Sequence, residues 1–317
     1  MIRKFFLSIL WLMMIAPLAS AQSGGYIDQD AVADILNLRF ETVDHIPDVF
    51  YKYHVLNNES GNNALARNAF YRLIGDGNTD LGNQRSILVE MVNRRMMQTF
   101  TVGDTIIYPV QFDLDFRGYS PFPRYYPGGR EFDKLFIMDK SIQAFAAYEY
   151  GQLMRWGIIN TGDPETTPTP NGRFNFNWRE EYRISSESPE DEPWEMYWVM
   201  NFHAAKGMHV HQYEMPTGGP LSHGCVRLVD ADAQWVYEWG DTWETTSSST
   251  GIASVGAKIL EQGSTVLVIG GEPNGKPQPF YLGHRYPVLK PVVLPHHPYD
   301  IPPGTPQQIA FDKLRAS

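Results

Sequence analysis

The residue with the most reactive chemistry is Cys225, the only cysteine of the 317-residue chain. It lies in the segment Ser222-His223-Gly224-Cys225-Val226-Arg227, and His209 and His211 precede this segment. A free thiol has a pKa near ~8.5, so it is a useful nucleophile at neutral pH only when a neighbouring group accepts its proton. A histidine within hydrogen-bond reach can accept that proton and later return it to a leaving group. The pattern therefore predicts a cysteine nucleophile with a histidine base.

Strand geometry predicts how these groups meet. Residues 208–211 read as a strand, and alternate strand residues face the same side, so His209 and His211 share a face and spacing alone does not choose between them. A turn-rich stretch containing Pro216, Gly218, Gly219 and Pro220 then returns the chain to Cys225. Gly224 removes side-chain bulk beside the thiol and leaves backbone N–H groups free to hold an oxyanion.

The elements that must position these residues read as short strands separated by turns. Strands are predicted at 134–138, 144–148, 153–159, 173–178, 196–202, 208–211 and 265–269. One helix follows the cysteine, with Trp235, Trp239 and Trp243 every four residues and Asp230 or Asp232 as its cap. Residues 22–125 combine helices at 30–38 and 84–97 with a strand at 106–108. The predicted fold class is mainly β, with one flanking helix and a mixed α/β N-terminal region.

An ordered series of segments resembles the L,D-transpeptidase catalytic domain (YkuD-type) family. The series covers roughly residues 134–270 and comprises Phe136-Ile137-Met138-Asp139 with Gln143, Tyr148-Glu149-Tyr150-Gly151, Asn160-Thr161-Gly162, Thr167 to Phe174, Val210-His211-Gln212 and Ser222 to Arg227. The Trp235–Trp239 helix and Gly263-Ser264-Thr265-Val266 complete it. The resemblance implies a β-sandwich catalytic domain.

The same resemblance implies roles for individual residues. Cys225 would be the nucleophile and His211 the proton donor and acceptor, with the main-chain carbonyl of Gln212 as the third catalytic element. The remaining candidates would orient the loop or hold the oxyanion (Ser222, His223 and Gly224) or bind substrate (Arg227, Gln212 and His209). Three features depart from the family pattern: Gln212 replaces a glycine, the stretch between His211 and Ser222 is short, and an acidic insert occupies 187–195.

For activity, the resemblance implies a thioester between Cys225 and a peptidoglycan tetrapeptide stem. D-alanine would leave, and an amine acceptor would resolve the thioester as a 3→3 crosslink or as an attachment to a protein or D-amino acid. Hydrolysis by water, giving an L,D-carboxypeptidase or crosslink-releasing hydrolase, is the alternative within the same chemistry. No cofactor or metal is expected.

Two other classes of protein fit some of the same residues. His209, His211, His223 and Cys225 could form a tetrahedral His3Cys zinc site, although a cation at Arg227 disfavours a bound metal ion. A non-catalytic wall-binding module would retain the fold, but it has no use for an oxidation-prone thiol.

The chain ends and overall charge bound the location and partners. Arg3 and Lys4, an apolar run and the small residues 19–21 predict a signal peptide at 1–21 and an exported, periplasmic or cell-envelope protein. The formal net charge of −10 disfavours nucleic acid and anionic lipid as partners. The family resemblance implies peptidoglycan stem peptides as the partner. The expected divisions are 22–125, of unknown role, a catalytic domain at 130–272 and a proline-rich strap or tail at 273–317; the sequence leaves the oligomeric state open.

Overall fold

The structure, a computed structural model, describes residues 26–36, 38–215, 219–246, 258–275, 277 and 279–315. The predicted signal peptide lies outside the described residues, and so do residues 216–218 of the turn-rich stretch. In the part of the chain that is described, no helix has the length and apolar character needed to cross a membrane.

Helices frame a core of strands. The helices are α1 (Gln29–Ile35), α2 (Asn63–Ile74), α3 (Thr79–Asn93), α4 (Asp230–Trp239) and α5 (Pro306–Arg315). The strands are β1 (Tyr51–Val55), β2 (Thr105–Pro109), β3 (Leu135–Asp139), β4 (Ala144–Glu149), β5 (Gln152–Ile158), β6 (Gly172–Asn175), β7 (Arg179–Ile184), β8 (Glu195–His203), β9 (Met208–Gln212), β10 (Val226–Leu228), β11 (Glu244–Thr245), β12 (Ile259–Glu261), β13 (Thr265–Ile269), β14 (Phe280–Tyr281) and β15 (Val288–Leu289).

Two sheets carry the catalytic region. The first has the strand order β5-β4-β3-β13-β6 and the second has the order β10-β9-β8-β7. Their facing sides share one buried apolar cluster, in which Phe136 and Phe145 of the first sheet join Phe202 and Val210 of the second. This packing of sheet on sheet, flanked by α4, confirms the predicted mainly β fold with its β-sandwich.

The N-terminal region is mixed α/β, as predicted, and its two longer helices, α2 and α3, begin at asparagine caps. The Asn62 side chain accepts a hydrogen bond from the Leu65 N–H at 3.0 Å at the start of α2, and Asn78 accepts one from the Leu81 N–H at 3.2 Å at the start of α3. Helix α2 has no counterpart among the sequence predictions, and α3 begins five residues before the predicted helix at 84–97.

The outer face of the first sheet is covered by the N-terminal region. Trp156 of β5 stacks on Phe116 with ring centroids 4.9 Å apart, and the same buried cluster includes Val32 of α1 and Leu88 of α3. The core therefore continues across the expected boundary near residues 125–130. The division into 22–125 and 130–272 remains a prediction about the chain's organisation.

The predicted acidic cap of α4 is wrong. Val229 occupies the N-cap position and makes no side-chain capping bond. Asp230 instead accepts a hydrogen bond from the Trp198 indole at 3.0 Å, and buried Asp232 pairs with Arg155 at 2.7 Å. Both carboxylates are thus used for packing between elements. The missing cap is supplied by a residue from elsewhere in the chain.

The C-terminal segment is anchored to the first sheet. The Arg173 side chain of β6 pairs with Asp312 of α5 and donates to the Gln308 side chain at 3.1 Å. The predicted strap at 273–317 therefore ends in a helix that docks on an edge strand.

Candidate active site

The candidate residues lie on two neighbouring parallel strands. In the pairing of β10 with β9, Val226 lies opposite Val210 and Arg227 lies opposite His211. Cys225, one residue before β10, is consequently level with His209. Because side chains alternate along a strand, the two histidines and the thiol share one face; the sequence predicted this shared face for the two histidines.

The thiol makes its direct contact with His209. Cys225 Sγ lies 3.6 Å from His209 Nδ1 and 3.8 Å from the Gly207 carbonyl oxygen. The His209 and Trp178 rings pack in an edge-to-face manner, with centroids 5.1 Å apart. The Nε2 atom of His209 is buried and has no hydrogen-bond partner among the described residues. His209 is therefore a neighbour of the thiol, although the family resemblance implied only a substrate-binding role for it.

His211 makes a different contact, with the main chain. Its Nδ1 atom lies 2.8 Å from the Gln212 carbonyl oxygen. A carbonyl can only accept, so Nδ1 carries the hydrogen and Nε2 keeps the lone pair. The residue is buried, with 4% of its surface exposed. The family resemblance implies this carbonyl contact for the base. The direct contact with the thiol, however, is made by His209.

Burial keeps the thiol and both rings uncharged. Burial is the largest cause and raises the pKa of the Cys225 thiol to about 11. A hydrogen bond with the His209 backbone acts in the opposite direction and lowers this pKa. Burial also lowers the pKa of His209 to about 3 and that of His211 to about 4. The hydrogen bond with the Gln212 carbonyl raises the pKa of His211 in part. His209 has no comparable hydrogen bond that would support a positive charge on its ring. At neutral pH the site therefore holds a thiol beside neutral imidazoles.

Arg227 places a cation at the open side of the site. Its guanidinium lies over the Tyr213 ring, with Cζ 4.5 Å from the centroid. The side chain is partly exposed and makes no ion pair among the described residues. A partly buried guanidinium without a carboxylate partner is suited to a substrate carboxylate.

The turn before Cys225 is closed by its own side chain and backbone. Ser222 Oγ donates to the Cys225 carbonyl oxygen and accepts from the Gly224 N–H at 3.2 Å. Gly224 has a φ of +108°, and a Cβ there would stand 3.0 Å from Met208 Cε. A residue other than glycine would strain this turn. The Gly224 N–H is engaged here, which differs from the expected free donor for an oxyanion.

A segment at 160–169 supports this turn from behind. The Leu221 and Ser222 N–H groups donate to the Thr161 carbonyl at 3.0 and 3.1 Å. Thr169 Oγ1 donates to the Gly224 carbonyl at 2.9 Å. Buried Gln143 holds Thr161 by two hydrogen bonds, at 2.8 and 2.9 Å. The sequence contained Gln143 and Asn160-Thr161-Gly162 as family-like features, but their supporting role requires the three-dimensional pairing.

His223 points to the acidic insert. Its ring lies 4.8 Å from that of Trp194, in the segment that joins β7 to β8.

Across the described ranges, no group of three or more His, Cys, Asp or Glu side chains is arranged to hold a metal ion. The four side chains of the His3Cys alternative therefore do not converge.

The strands and the Cys–His face define a candidate cysteine-dependent site in a β-sandwich. Residues 133–268 match the family model described as YkuD, L,D-transpeptidase catalytic domain. The resemblance to that family is thereby confirmed for this part of the chain. No curated protein matches the chain.

Several solved structures are similar to this chain. An L,D-transpeptidase from Mycobacterium smegmatis is 18% identical over 44% of this chain and 59% of its own, with a TM-score of 0.34. One from Stackebrandtia nassauensis is 22% identical over 45% of this chain and 58% of its own, with a TM-score of 0.33. The E. faecium L,D-transpeptidase catalytic domain is 22% identical over 43% of this chain and 97% of its own, with a TM-score of 0.30. The chain thus spans less than two thirds of the first two proteins.

The protonation states predict how the thiol reacts with an alkylating agent. Since burial raises the pKa of Cys225 to about 11, the fraction of reactive thiolate grows about tenfold for each pH unit below that value. The alkylation rate with iodoacetamide should therefore rise continuously between pH 6 and 9. Protein unfolded in urea provides the control, and its alkylation rate should show an inflection near the ordinary thiol pKa of ~8.5. A plateau already reached at pH 6 would instead indicate a thiolate–imidazolium pair and contradict this description.

Proposed function

We propose that the protein is a peptidoglycan L,D-transpeptidase in which Cys225 is the acylated nucleophile. The observation that carries the proposal is the 3.6 Å contact between Cys225 Sγ and His209 Nδ1, on a face shared with His211 and inside the segment that matches the catalytic-domain family. The substrate is the tetrapeptide stem, and the bond attacked joins the L-centre of the diamino acid to the terminal D-alanine.

The first half-reaction forms a thioester. Cys225 Sγ attacks the carbonyl carbon while its proton passes to a histidine nitrogen, which gives a tetrahedral oxyanion. The imidazolium then protonates the D-alanine nitrogen, the C–N bond breaks and D-alanine leaves. Arg227, near the thiol on β10, binds a substrate carboxylate. Ser222, Gly224 and His223 shape the turn that presents the sulfur.

Of the two histidines, His211 is the base. A base must hold the proton as an imidazolium, and the Gln212 carbonyl supports that charge while leaving Nε2 free to accept the proton. His209 would carry its positive charge with a buried Nε2 that has no partner among the described residues, and close to the Arg183 guanidinium, which disfavours that charge. An unsatisfied buried polar group costs about 1–3 kcal/mol, and more when it is charged. His209 therefore orients the thiol. Because its Nδ1 atom lies only 3.6 Å from Cys225 Sγ, it is the alternative candidate for the base.

The second half-reaction consumes the thioester. An acceptor amine attacks the thioester carbonyl, His211 removes the amine proton, and the thiol leaves with that proton returned to sulfur. Transfer gives a 3→3 crosslink or an attachment to a protein or D-amino acid. The predicted signal peptide supports a location in the periplasm or cell envelope, where stem peptides occur.

Product analysis tests the reaction. The purified protein, without its signal peptide, is incubated with disaccharide-tetrapeptide, with and without excess D-amino acid, and the products are identified by mass spectrometry. We expect free D-alanine together with crosslinked dimer or exchanged stem, because a held acceptor amine competes well with water. The Cys225→Ala variant should give none of these products.

The same assay separates the alternatives. Tripeptide and D-alanine as the sole products, whatever acceptor is present, would make the protein an L,D-carboxypeptidase. Turnover by Cys225→Ala at the wild-type rate would contradict the cysteine mechanism.

Paired variants assign the base. His211→Gln should lower kcat by at least ~100-fold, the lower range for a positioned acid–base group. His209→Gln should lower kcat by less than ~10-fold, because it removes a neighbour of the thiol but leaves the proton acceptor. The two residues lie on one strand and face, so each variant controls for the other's effect on folding, which circular dichroism checks. The reverse order of effects would assign the base to His209.

A further inference from the structure

A side chain from the N-terminal region reaches the ends of both strands that carry the candidate site. Gln29, in α1, accepts a hydrogen bond through Oε1 from the Asp230 N–H at 2.9 Å. Its Nε2 donates to the Tyr213 carbonyl oxygen at 2.8 Å. The Gln212 side chain also donates to Gln29 Oε1, at 3.3 Å. One glutamine thus joins the segment after β9 to the segment after β10.

The contact with Asp230 serves as the cap of α4. The first N–H groups of a helix have no partner within it, and the N-cap residue Val229 has no side-chain acceptor. Gln29 Oε1 meets the first of these donors from outside the helix. Since α4 follows β10 after a single residue, this bond fixes the end of the strand that begins beside Cys225.

The contact with Tyr213 fixes the partner strand. Tyr213 directly follows β9, and the preceding Gln212 supplies the carbonyl that holds His211 Nδ1. A second bond, from the Ile27 N–H to the Met215 carbonyl at 3.0 Å, ties the same segment to the N-terminal region. Helix α1 is itself anchored by fully buried Val32. The chain before the catalytic domain therefore holds the segment that directly follows the histidine strand.

We propose that Gln29 is a positioning residue, which holds the ends of β9 and β10 together and so fixes the thiol relative to His211. The predicted effect of Gln29 on turnover rests on the proposed transfer reaction. The positioning role also gives the N-terminal region, whose role the sequence leaves open, a part in completing the site. Loss of the tie should let the two strand ends move apart and loosen the packing around the thiol and the histidines, so turnover falls while the thiol becomes easier to ionise.

Three variants separate positioning from stability. Gln29→Ala removes all the contacts of the amide. Gln29→Glu keeps an acceptor for the Asp230 N–H but cannot donate to the Tyr213 carbonyl. Asp34→Asn, an exposed change on the same helix, is the matched control. For each we measure kcat and KM with disaccharide-tetrapeptide, the melting temperature, and the pH dependence of Cys225 alkylation.

We expect Gln29→Ala to lower kcat at least ~10-fold with KM changed less than ~3-fold, and to move the alkylation profile to lower pH. Gln29→Glu should show the same two effects with a melting temperature close to that of wild type, because the cap of α4 is kept. If Gln29→Ala does not fold, the Glu variant alone decides.

Two results would overturn the inference. In one, the alkylation profile and kcat of both Gln29 variants equal those of Asp34→Asn. In the other, Gln29→Glu restores kcat and the alkylation profile completely, which would leave only a helix cap. If wild type shows no turnover, the proposed function fails, and the alkylation profiles still decide the role of Gln29.

Discussion

The parallel pairing of β9 with β10 is the constraint on which the candidate site depends. It sets Cys225 level with His209 and Arg227 level with His211, so thiol, imidazoles and guanidinium share one face. A slip by one residue would turn one strand's side chains to the opposite face and separate the sulfur from both rings. The support from Thr161, the closed turn at Gly224 and the tie from Gln29 all act on the ends of these two strands.

Burial then determines the charge state at this face. Burial raises the pKa of the Cys225 thiol to about 11 and lowers that of His211 to about 4, so it disfavours the thiolate and the imidazolium alike before substrate binds. The proton must move as the sulfur attacks, when the developing charge is shared with the substrate. The Gln212 carbonyl is then valuable, because it supports the imidazolium at the moment it forms.

Much of this arrangement could be predicted from the sequence because it is local. Short strand-like runs separated by turn residues placed β3, β4, β5, β8 and β9 within about two residues of their observed ends. The shared face of His209 and His211 follows from the strand period. The cysteine segment was recognisable because its residues are contiguous. The predicted 173–178 strand ends at Asn175, since residues 176–178 turn the chain into the second sheet.

What could not be predicted depends on contacts between distant segments. The cap of α4 was assigned to Asp230 or Asp232 by local rules, yet Asp232 lies beside Arg155 and the cap comes from Gln29, about 200 residues earlier. The contact of His209 with the thiol depends on strand register, which neither strand specifies alone. The engagement of the Gly224 N–H by Ser222 likewise requires the folded turn.

The most direct test of the cysteine mechanism is the identity of the residue that becomes acylated. The enzyme is mixed with disaccharide-tetrapeptide, quenched in acid within one turnover, digested and mapped by mass spectrometry. If Cys225 is the acylated nucleophile, the peptide that contains it carries a disaccharide-tripeptide adduct, and hydroxylamine releases this adduct as expected for a thioester. An adduct on Ser222 or on another residue, or turnover with no adduct at any quench time, would contradict it.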